Sequence, residues 1–268
     1  MTFKFLIFKA ITNLASLIGY NFTFKRRKND FEGIYKSYNE ALTNSGNIDT
    51  YINKKIQSKI SILDIEDIEV SNTKNIIPSF YATYNRNKII NFLEVGGGNN
   101  PMFQYMLKST DLKFNCQILE EKNFKTEIPD KYLKNVIYLN DLKNINCNNL
   151  EFACFTGSIQ YMENFNEILN VIFKNNVKHI FILETFFTNL TYNIFTLQCN
   201  ILTNKFPNTF FSLEVFDKFF LDNGYKKIFF TKRKNKKIEN GVYRIKYSHD
   251  SLDPDSFYLA DIIYEKVN

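Results

Sequence analysis

The chain has 268 residues, of which 44% are hydrophobic and 16% aromatic, enough to bury a large core, and this excludes wholesale disorder and collagen-like repeats. The 34 basic and 28 acidic side chains leave a net charge of +6, and no nucleic-acid-binding motif accompanies this modest excess, so we expect no nucleic-acid partner. Two histidines, and four cysteines without a C-x-x-C pair, argue against a metal site and indicate buried thiols in a reducing compartment.

Residues 1–28 combine an apolar stretch with the basic cluster Lys25–Lys28. Lys4 and Lys9 interrupt the stretch, so we do not expect a membrane-spanning helix, and Gly19-Tyr20-Asn21 is a poor match to the cleavage site of a signal peptide. The spacing of its apolar residues predicts an amphipathic helix. Such a helix can pack on protein, which we favour, or lie in a membrane interface, and the sequence leaves both open.

Residues 29–87 are predicted to be a mostly helical region that covers the cofactor pocket, and residues 88–268 to be the main domain. In the main domain short apolar runs alternate with helical segments, and this alternation predicts a mostly parallel, doubly wound sheet. Helices are expected at 37–43, 48–63, 101–107, 164–175 and 212–223, and strands at 89–95, 114–119, 135–139, 152–155, 179–183, 227–232 and 258–264.

The strand predicted at 89–95 ends in a glycine-rich turn that precedes a helix. Glycines let the backbone approach a ligand, and the start of the helix presents free N–H groups. The dinucleotide pattern G-x-G-x-x-G fails, because Pro101 stands where the third glycine belongs. Glu94, Gly96, Gly98 and Asn100 instead match the S-adenosylmethionine turn of class I methyltransferases, with Asn for the last glycine. A glycine turn without a ligand is the alternative.

Acidic residues also follow the next two predicted strands. Glu120 ends the second strand, where a carboxylate can accept hydrogen bonds from both ribose hydroxyls, and the adjacent Glu121 is a competing candidate. Asp141 follows the third strand, where such folds contact the adenine amino group. A solvent-exposed strand-end carboxylate is the alternative in each case.

At this point the chain resembles the methyltransferase family found in bacterial surface-polysaccharide gene clusters (O-antigen and capsule). The resemblance covers about residues 31–230 and rests on several segments. These are Phe31-x-Gly33-x-Tyr35-x-Ser37, Leu93–Gly98, Ile118–Glu120, Thr156-Gly157-Ser158-Ile159-Gln160-Tyr161, Thr196-x-Gln198, Phe206-Pro207 and Gly224-Tyr225. One departure is Glu184-Thr185, where the family usually has Arg before Thr-Pro.

The resemblance implies a Rossmann-like class I methyltransferase fold, in which helices flank a central, mostly parallel, seven-stranded sheet, with an N-terminal helical extension. It also implies S-adenosylmethionine as cofactor and S-adenosylhomocysteine as product. The cofactor-binding residues it implies are Glu94, Gly96, Gly97, Gly98, Glu120, Asp141, Gly157 and Ser158.

With histidine nearly absent, the candidate bases or acceptor-positioning groups are Tyr161, Glu184 and Gln198. Thr196 and Gln198 lie in an aromatic segment that is either a lid over the acceptor or a packed loop. The ends of the fourth and fifth predicted strands, at 152–155 and 179–183, face the acceptor in such folds, because ligands bind at the carboxyl ends of parallel strands.

We therefore expect a methyltransferase that modifies a surface-polysaccharide component or its nucleotide-activated precursor, at a sugar hydroxyl, an amine, a carboxylate or a phosphoryl-type group. The expected location is cytoplasmic, at the inner membrane face, as a monomer or an oligomer. The first alternative is a membrane-peripheral interaction module with a degenerate cofactor pocket. The second is an NAD-dependent epimerase or reductase, but the Tyr-x-x-x-Lys spacing at Tyr51–Lys55 precedes the glycine turn, which is the wrong side for that family.

Overall fold

A computed structural model describes residues 30–45, 76–84, 89–97, 101–109, 111, 113–120, 134–199, 205–233, 245–246 and 256–267. The helices predicted within 1–28 and at 48–63 lie outside these ranges. Across the described ranges, no helix has the length and apolar character needed to cross a bilayer.

The elements alternate between strands and helices along the chain. The helices are α1 (Tyr38–Asn44), α2 (Ile76–Tyr84), α3 (Met102–Ser109), α4 (Phe165–Lys174) and α5 (Leu213–Asp222). The strands are β1 (Asp30–Tyr35), β2 (Ile90–Val95), β3 (Phe114–Leu119), β4 (Val136–Leu139), β5 (Leu150–Thr156), β6 (His179–Thr188), β7 (Ile194–Cys199), β8 (Lys205–Ser212), β9 (Tyr225–Arg233), β10 (Ile245–Lys246) and β11 (Phe257–Lys266).

Seven strands form the main sheet, in the order β4-β3-β2-β5-β6-β11-β9. The pairs from β4 to β6 are parallel, and β11 runs antiparallel to both β6 and β9. This order, with one reversed strand, is the Rossmann-like class I methyltransferase fold that the sequence predicted. The strands that follow β2 first extend the sheet on one side of it, with β3 and β4, and then on the other side, with β5 and β6. In parallel sheets a ligand crevice forms where the strand order reverses in this way, which here is the carboxyl end of β2.

Phenylalanine packing holds the main sheet between its helices. On one face, the ring of Phe152 stacks on that of Phe92, with ring centroids 4.6 Å apart and planes 6° from parallel. Tyr81 of α2 stacks on the other side of Phe152 at 4.9 Å. All three side chains are buried, so this face of the sheet is fixed by aromatic contacts that bury a large apolar area.

Four further strands form the added sheet, in the order β10-β1-β7-β8. It joins the main sheet through β8, which pairs in parallel with the end of β6. Within it, β7 is antiparallel to both β1 and β8.

The prediction of a mostly helical region at 29–87 is wrong for residues 30–35, which form β1. Phe31 and Glu32 pair with Gln198 and Leu197 of β7. The partner that makes this segment a strand therefore lies far along the chain, where the local pattern of residues 29–87 cannot reveal it.

Candidate active site

The glycine turn after β2 depends on two glycines that leave no room for a side chain. Gly96 has a φ of +72°, and a Cβ atom there would lie 2.6 Å from Cβ of Ser158. At Gly97 a Cβ would lie 3.0 Å from the carboxylate carbon of Glu94. Gly96 thus packs closely against Ser158, and Gly97 against Glu94, where a larger residue would force the backbone or its neighbours to shift. Gly98 and Asn100 lie outside the described residues.

Glu94 is completely buried beside this turn. Its Oε2 accepts a hydrogen bond from the backbone N–H of Met102, the first residue of α3, at 2.5 Å. The carboxylate therefore ties β2 to the start of the following helix. Its predicted contact with the ammonium group of a cofactor stays a prediction.

Glu120 and Asp141 lie at the same edge of the sheet, after β3 and β4. Glu120 is 9% exposed, its N–H donates to Leu139 O at 2.9 Å, and its own carbonyl accepts from Asn140 Nδ2 at 3.2 Å. The Asp141 carboxylate is exposed and accepts the N–H of Lys143 at 2.9 Å, which caps a one-turn 3₁₀ helix. Carboxylates thus lie at the ends of three neighbouring strands, Glu94 within the end of β2 and Glu120 and Asp141 just after β3 and β4.

The segment from Thr156 to Tyr161 joins β5 to the strands on both sides. The Gly157 N–H donates to Leu183 O of β6 at 2.8 Å, and the Ser158 hydroxyl donates to Val95 O of β2 at 2.6 Å. Gln160 Nε2 donates to the carbonyl of Glu184 at 3.3 Å. This segment therefore connects the glycine turn to the end of β6.

Tyr161 connects this segment to the added sheet. Its hydroxyl donates to Gln198 Oε1 at 2.5 Å, and its carbonyl accepts from the Tyr38 hydroxyl at 2.5 Å. The Thr196 hydroxyl donates to Gly33 O at 2.8 Å. Three of the segments quoted for the resemblance thus meet in space. Thr196 and Gln198 lie in strand β7, and neither the lid nor the packed loop considered from the sequence describes them.

Glu184 occupies an unusual backbone position near the middle of β6. Its φ is +52°, a left-handed conformation that residues other than glycine rarely adopt. The pairing of β6 with β11 shifts by one residue here, between Ala260 and Ile262, which is a β-bulge. Bulges re-aim side chains and cluster near active sites, and strained backbone has the same tendency.

Two charged residues that the sequence analysis missed surround Glu184. Asp261 Oδ1 accepts the Glu184 N–H at 2.8 Å, and its Oδ2 accepts from Arg233 Nε at 2.8 Å. Arg233 Nη1 lies 3.3 Å from Glu184 Oε1. The one available signal was a carboxylate inside an otherwise apolar strand, Asp261 in YLADIIY. Arg233 was hidden within a basic run that reads as a solvated face.

Tyr105, also missed, is a buried tyrosine of α3, the helix that follows the glycine turn. It is 3% exposed, and burial, followed by the negative charges of Glu184 and Glu94, raises the pKa of its hydroxyl. Both carboxylates therefore lie close enough to influence one hydroxyl. Glu94 lies in β2 just before the glycine turn, and Glu184 lies at the bulge in β6.

Buried polar atoms along this edge fit a polar ligand. Among the described residues, Thr156 Oγ1, Gln160 Oε1 and both amide atoms of Gln104 and of Asn208 are buried without a hydrogen-bond partner. Each such group costs about 1–3 kcal/mol unless something satisfies it. Thr156 and Gln160 flank the Gly157 turn, Gln104 lies in the first turn of α3, and Asn208 pairs with Thr196 across β7 and β8.

No family model and no curated protein matches this chain. Solved structures that resemble it include 1,6-didemethyltoxoflavin-N1-methyltransferase of Burkholderia thailandensis (TM-score 0.49, 7% identity, covering 86% of this chain and 89% of that one). The N-terminal domain of EvdMO1, solved with S-adenosylhomocysteine and D-fucose, has a TM-score of 0.47 at 9% identity and covers 83% and 97%. The [4+2]-cyclase SpnF has a TM-score of 0.47 at 10% identity and covers 72% and 80%. These likenesses are too distant to assign an activity, and the strand order of the chain's own sheet identifies the fold.

Proposed function

We propose that this protein is an S-adenosylmethionine-dependent methyltransferase that modifies a component, or a nucleotide-activated precursor, of a bacterial surface polysaccharide. The observation that carries the proposal is the arrangement at one edge of the main sheet. There Glu94 lies at the end of β2 and Glu120 and Asp141 follow β3 and β4, while the glycine turn contacts Ser158 and Gly157 adjoins the strained Glu184. The polysaccharide part rests on the sequence resemblance.

The cofactor half of the proposal assigns one role to each strand end. The backbone N–H groups of the glycine turn suit the carboxylate of the methionine moiety, and Glu94 suits its ammonium group. Glu120, nearly buried after β3, is placed to accept hydrogen bonds from the ribose hydroxyls, and Asp141 to contact the adenine. Gly157 and Ser158 complete the pocket against Gly96. Bound S-adenosylmethionine supplies a methyl group on a positively charged sulfur.

The acceptor half lies between β6 and the added sheet. The hydroxyl of Tyr161 and the amide of Gln198, joined by a hydrogen bond, suit the positioning of a polyhydroxylated acceptor. Glu184 is the carboxylate placed to receive a proton. Orientation of the acceptor accounts for much of the rate enhancement that such a site supplies.

The proposed location follows from the acceptor. Nucleotide-activated sugars are assembled in the cytoplasm at the inner membrane face. The amphipathic segment predicted in residues 1–28 suits that place, through contact either with the membrane or with another protein.

Calorimetric titration with S-adenosylmethionine and S-adenosylhomocysteine tests the proposal. We expect micromolar binding that Glu120→Ala weakens about tenfold, or about 1.4 kcal/mol, because the ribose hydroxyls lose their acceptor. Asp222→Ala, which removes an exposed carboxylate at the far end of α5, is the matched control and should bind as wild type. If neither ligand binds the folded protein, the proposal is wrong and an interaction module with a degenerate pocket takes its place.

A further inference from the structure

We propose that Asp261 and Arg233 are positioning residues that form one anionic unit with Glu184, and that this unit faces the point of methyl transfer. There its net negative charge favours a cationic sulfur over a neutral one. This inference rests on the proposed function and adds two residues, one from β9 and one from β11, to the reaction site.

The three residues form a closed ring of hydrogen bonds. The Glu184 backbone donates to Asp261, Asp261 accepts from Arg233, and Arg233 returns to the Glu184 side chain. The Asp261 side chain is only 3% exposed, whereas Glu184 and Arg233 are 32% and 25% exposed. Asp261 is therefore the buried member of the unit, and Glu184 is its most solvent-exposed member.

The ring explains how a glutamate keeps a left-handed backbone. A non-glycine residue in that region costs about 1–3 kcal/mol and persists only where its surroundings hold it. Asp261 holds the backbone N–H of Glu184, and Arg233 holds one carboxylate oxygen, Oε1. The conformation of Glu184 is thus fixed at both its main chain and its side chain.

The unit adjoins the cofactor turn. The other carboxylate oxygen, Oε2, lies 3.7 Å from the position of a Cβ at Gly157. The next residue, Ser158, packs on Gly96 of the glycine turn. The Glu184 carboxylate therefore lies beside the Gly157–Ser158 turn, and that turn contacts the glycine turn after β2.

Two carboxylates against one guanidinium leave the unit with one net negative charge. Such a charge stabilises the positive sulfur of S-adenosylmethionine and has no matching effect on S-adenosylhomocysteine, whose sulfur is neutral. The Glu184 carboxylate takes the proton that an acceptor hydroxyl or amine loses when its oxygen or nitrogen gains the methyl group. The carbon–sulfur bond breaks with its electron pair on sulfur, so charge and atoms balance.

Calorimetric dissociation constants of the two cofactor forms, measured on each variant of the full chain, test the unit. Glu184→Gln and Asp261→Asn each remove one negative charge, so each should reduce the preference for S-adenosylmethionine over S-adenosylhomocysteine by about fivefold. The double variant should reduce it further, because Arg233 is then left uncompensated. Arg233→Lys keeps the charge and should retain a preference close to that of wild type.

The affinity for S-adenosylhomocysteine is the internal control for folding and should stay within about twofold throughout. Asp222→Asn removes a distant negative charge and should not change the preference. If Asp261→Asn weakens both ligands equally, or leaves both unchanged, Asp261 is only structural and the unit does not exist as proposed. If no variant, wild type included, binds either ligand, the proposed function itself fails, which is a separate outcome.

Discussion

The main sheet and the added sheet bring residues to the same site in different ways. In the main sheet the glycine turn is a short contiguous stretch, Glu94 lies at the end of β2, and Glu120 and Asp141 follow β3 and β4. In the added sheet the contacts join distant parts of the chain, as where Thr196 donates to Gly33 across 163 positions. The proposed cofactor side is therefore defined mainly by local sequence, and the proposed acceptor side by long-range pairing.

This difference implies that the two regions can be damaged separately. The main sheet carries the glycine turn and most of the aromatic core, so its loss should remove cofactor binding along with the fold. The added sheet contacts the main sheet through the ends of β6 and β8, through Tyr161, and through a small aromatic cluster in which Phe31 packs on Phe186 of β6 at 5.2 Å and Phe210 packs on Phe257 of β11 at 5.0 Å. Its loss should spare the cofactor and affect the acceptor.

The largest expected effect comes from truncating one buried phenylalanine in each region. Phe152 in the main sheet and Phe31 in the added sheet are both fully buried, and each change to alanine should cost about 3–5 kcal/mol of the free energy of unfolding. Phe152→Ala should lose S-adenosylhomocysteine binding together with the fold. Phe31→Ala should retain it at temperatures below its own unfolding transition. Thermal melts followed by calorimetry check this, and loss of binding in folded Phe31→Ala would show that the regions are not separable.

Glycine substitutions sharpen the same comparison within the main sheet. Gly96 and Gly224 have similar φ angles, +72° and +78°, so alanine at either should cost about 1–3 kcal/mol of stability. Gly96→Ala also drives a Cβ into Ser158, whereas at Gly224 the nearest atom is the flexible end of Lys266. We expect more than about tenfold weaker S-adenosylhomocysteine binding for Gly96→Ala alone. Equal binding by both variants would remove the glycine turn from the cofactor site.

A smaller effect is expected where the two regions meet. Tyr161→Phe removes the hydroxyl that donates to Gln198 and should cost about 1 kcal/mol of stability, since the Gln198 amide then loses a partner. Tyr192→Phe, at a tyrosine that is 54% exposed, is the control and should be neutral. Denaturant unfolding measures both. Affinity for S-adenosylhomocysteine should not change in either variant, and a loss in Tyr161→Phe would place that tyrosine on the cofactor side.

The smallest expected effect is a pH dependence that belongs to the main sheet. Burial, followed by the charge of Lys178, lowers the pKa of His179 against the opposing effect of Glu265. Below about pH 6.5 the unfolded chain therefore takes up a proton that the buried ring resists, and stability falls as the pH falls. Wild type should lose more stability than His179→Gln between about pH 7.5 and 5.5, by up to about 1 kcal/mol. Parallel slopes in the two proteins would contradict this.

Local patterns predicted the main sheet well. The apolar runs that became β2 and β3, and the glycine turn between β2 and α3, needed only neighbouring residues to define them. β1 was predicted as helix because its pairing with β7 depends on residues far along the chain. β7 and β8 were not predicted for the same reason.

The site divides in the same way. Glu120 and Asp141 could be found by counting strand ends, since parallel strands end at one edge of a sheet. Arg233 and Asp261 could not be found in this way, because each lies in a late strand rather than after one. They contact Glu184 because the bulge in β6 brings it next to Asp261. A single acidic residue in an apolar strand was the available signal for Asp261, and the sequence offered none for Arg233.

The position of β11 has a consequence for a chain that is still being translated. β11 follows β9 along the chain but lies between β6 and β9 in the sheet, and in the described part of the chain β9 pairs with β11. A nascent chain that ends before residue 257 can therefore form the parallel part of the sheet, from β2 to β6, but β9 has no neighbouring strand among the described residues to pair with. The backbone N–H and C=O groups of β9 then stay unpaired, beside apolar side chains, Ile228 to Phe230, that are already about 40% exposed in the complete sheet. We expect such shortened chains to aggregate or to bind chaperones until synthesis reaches the final strand.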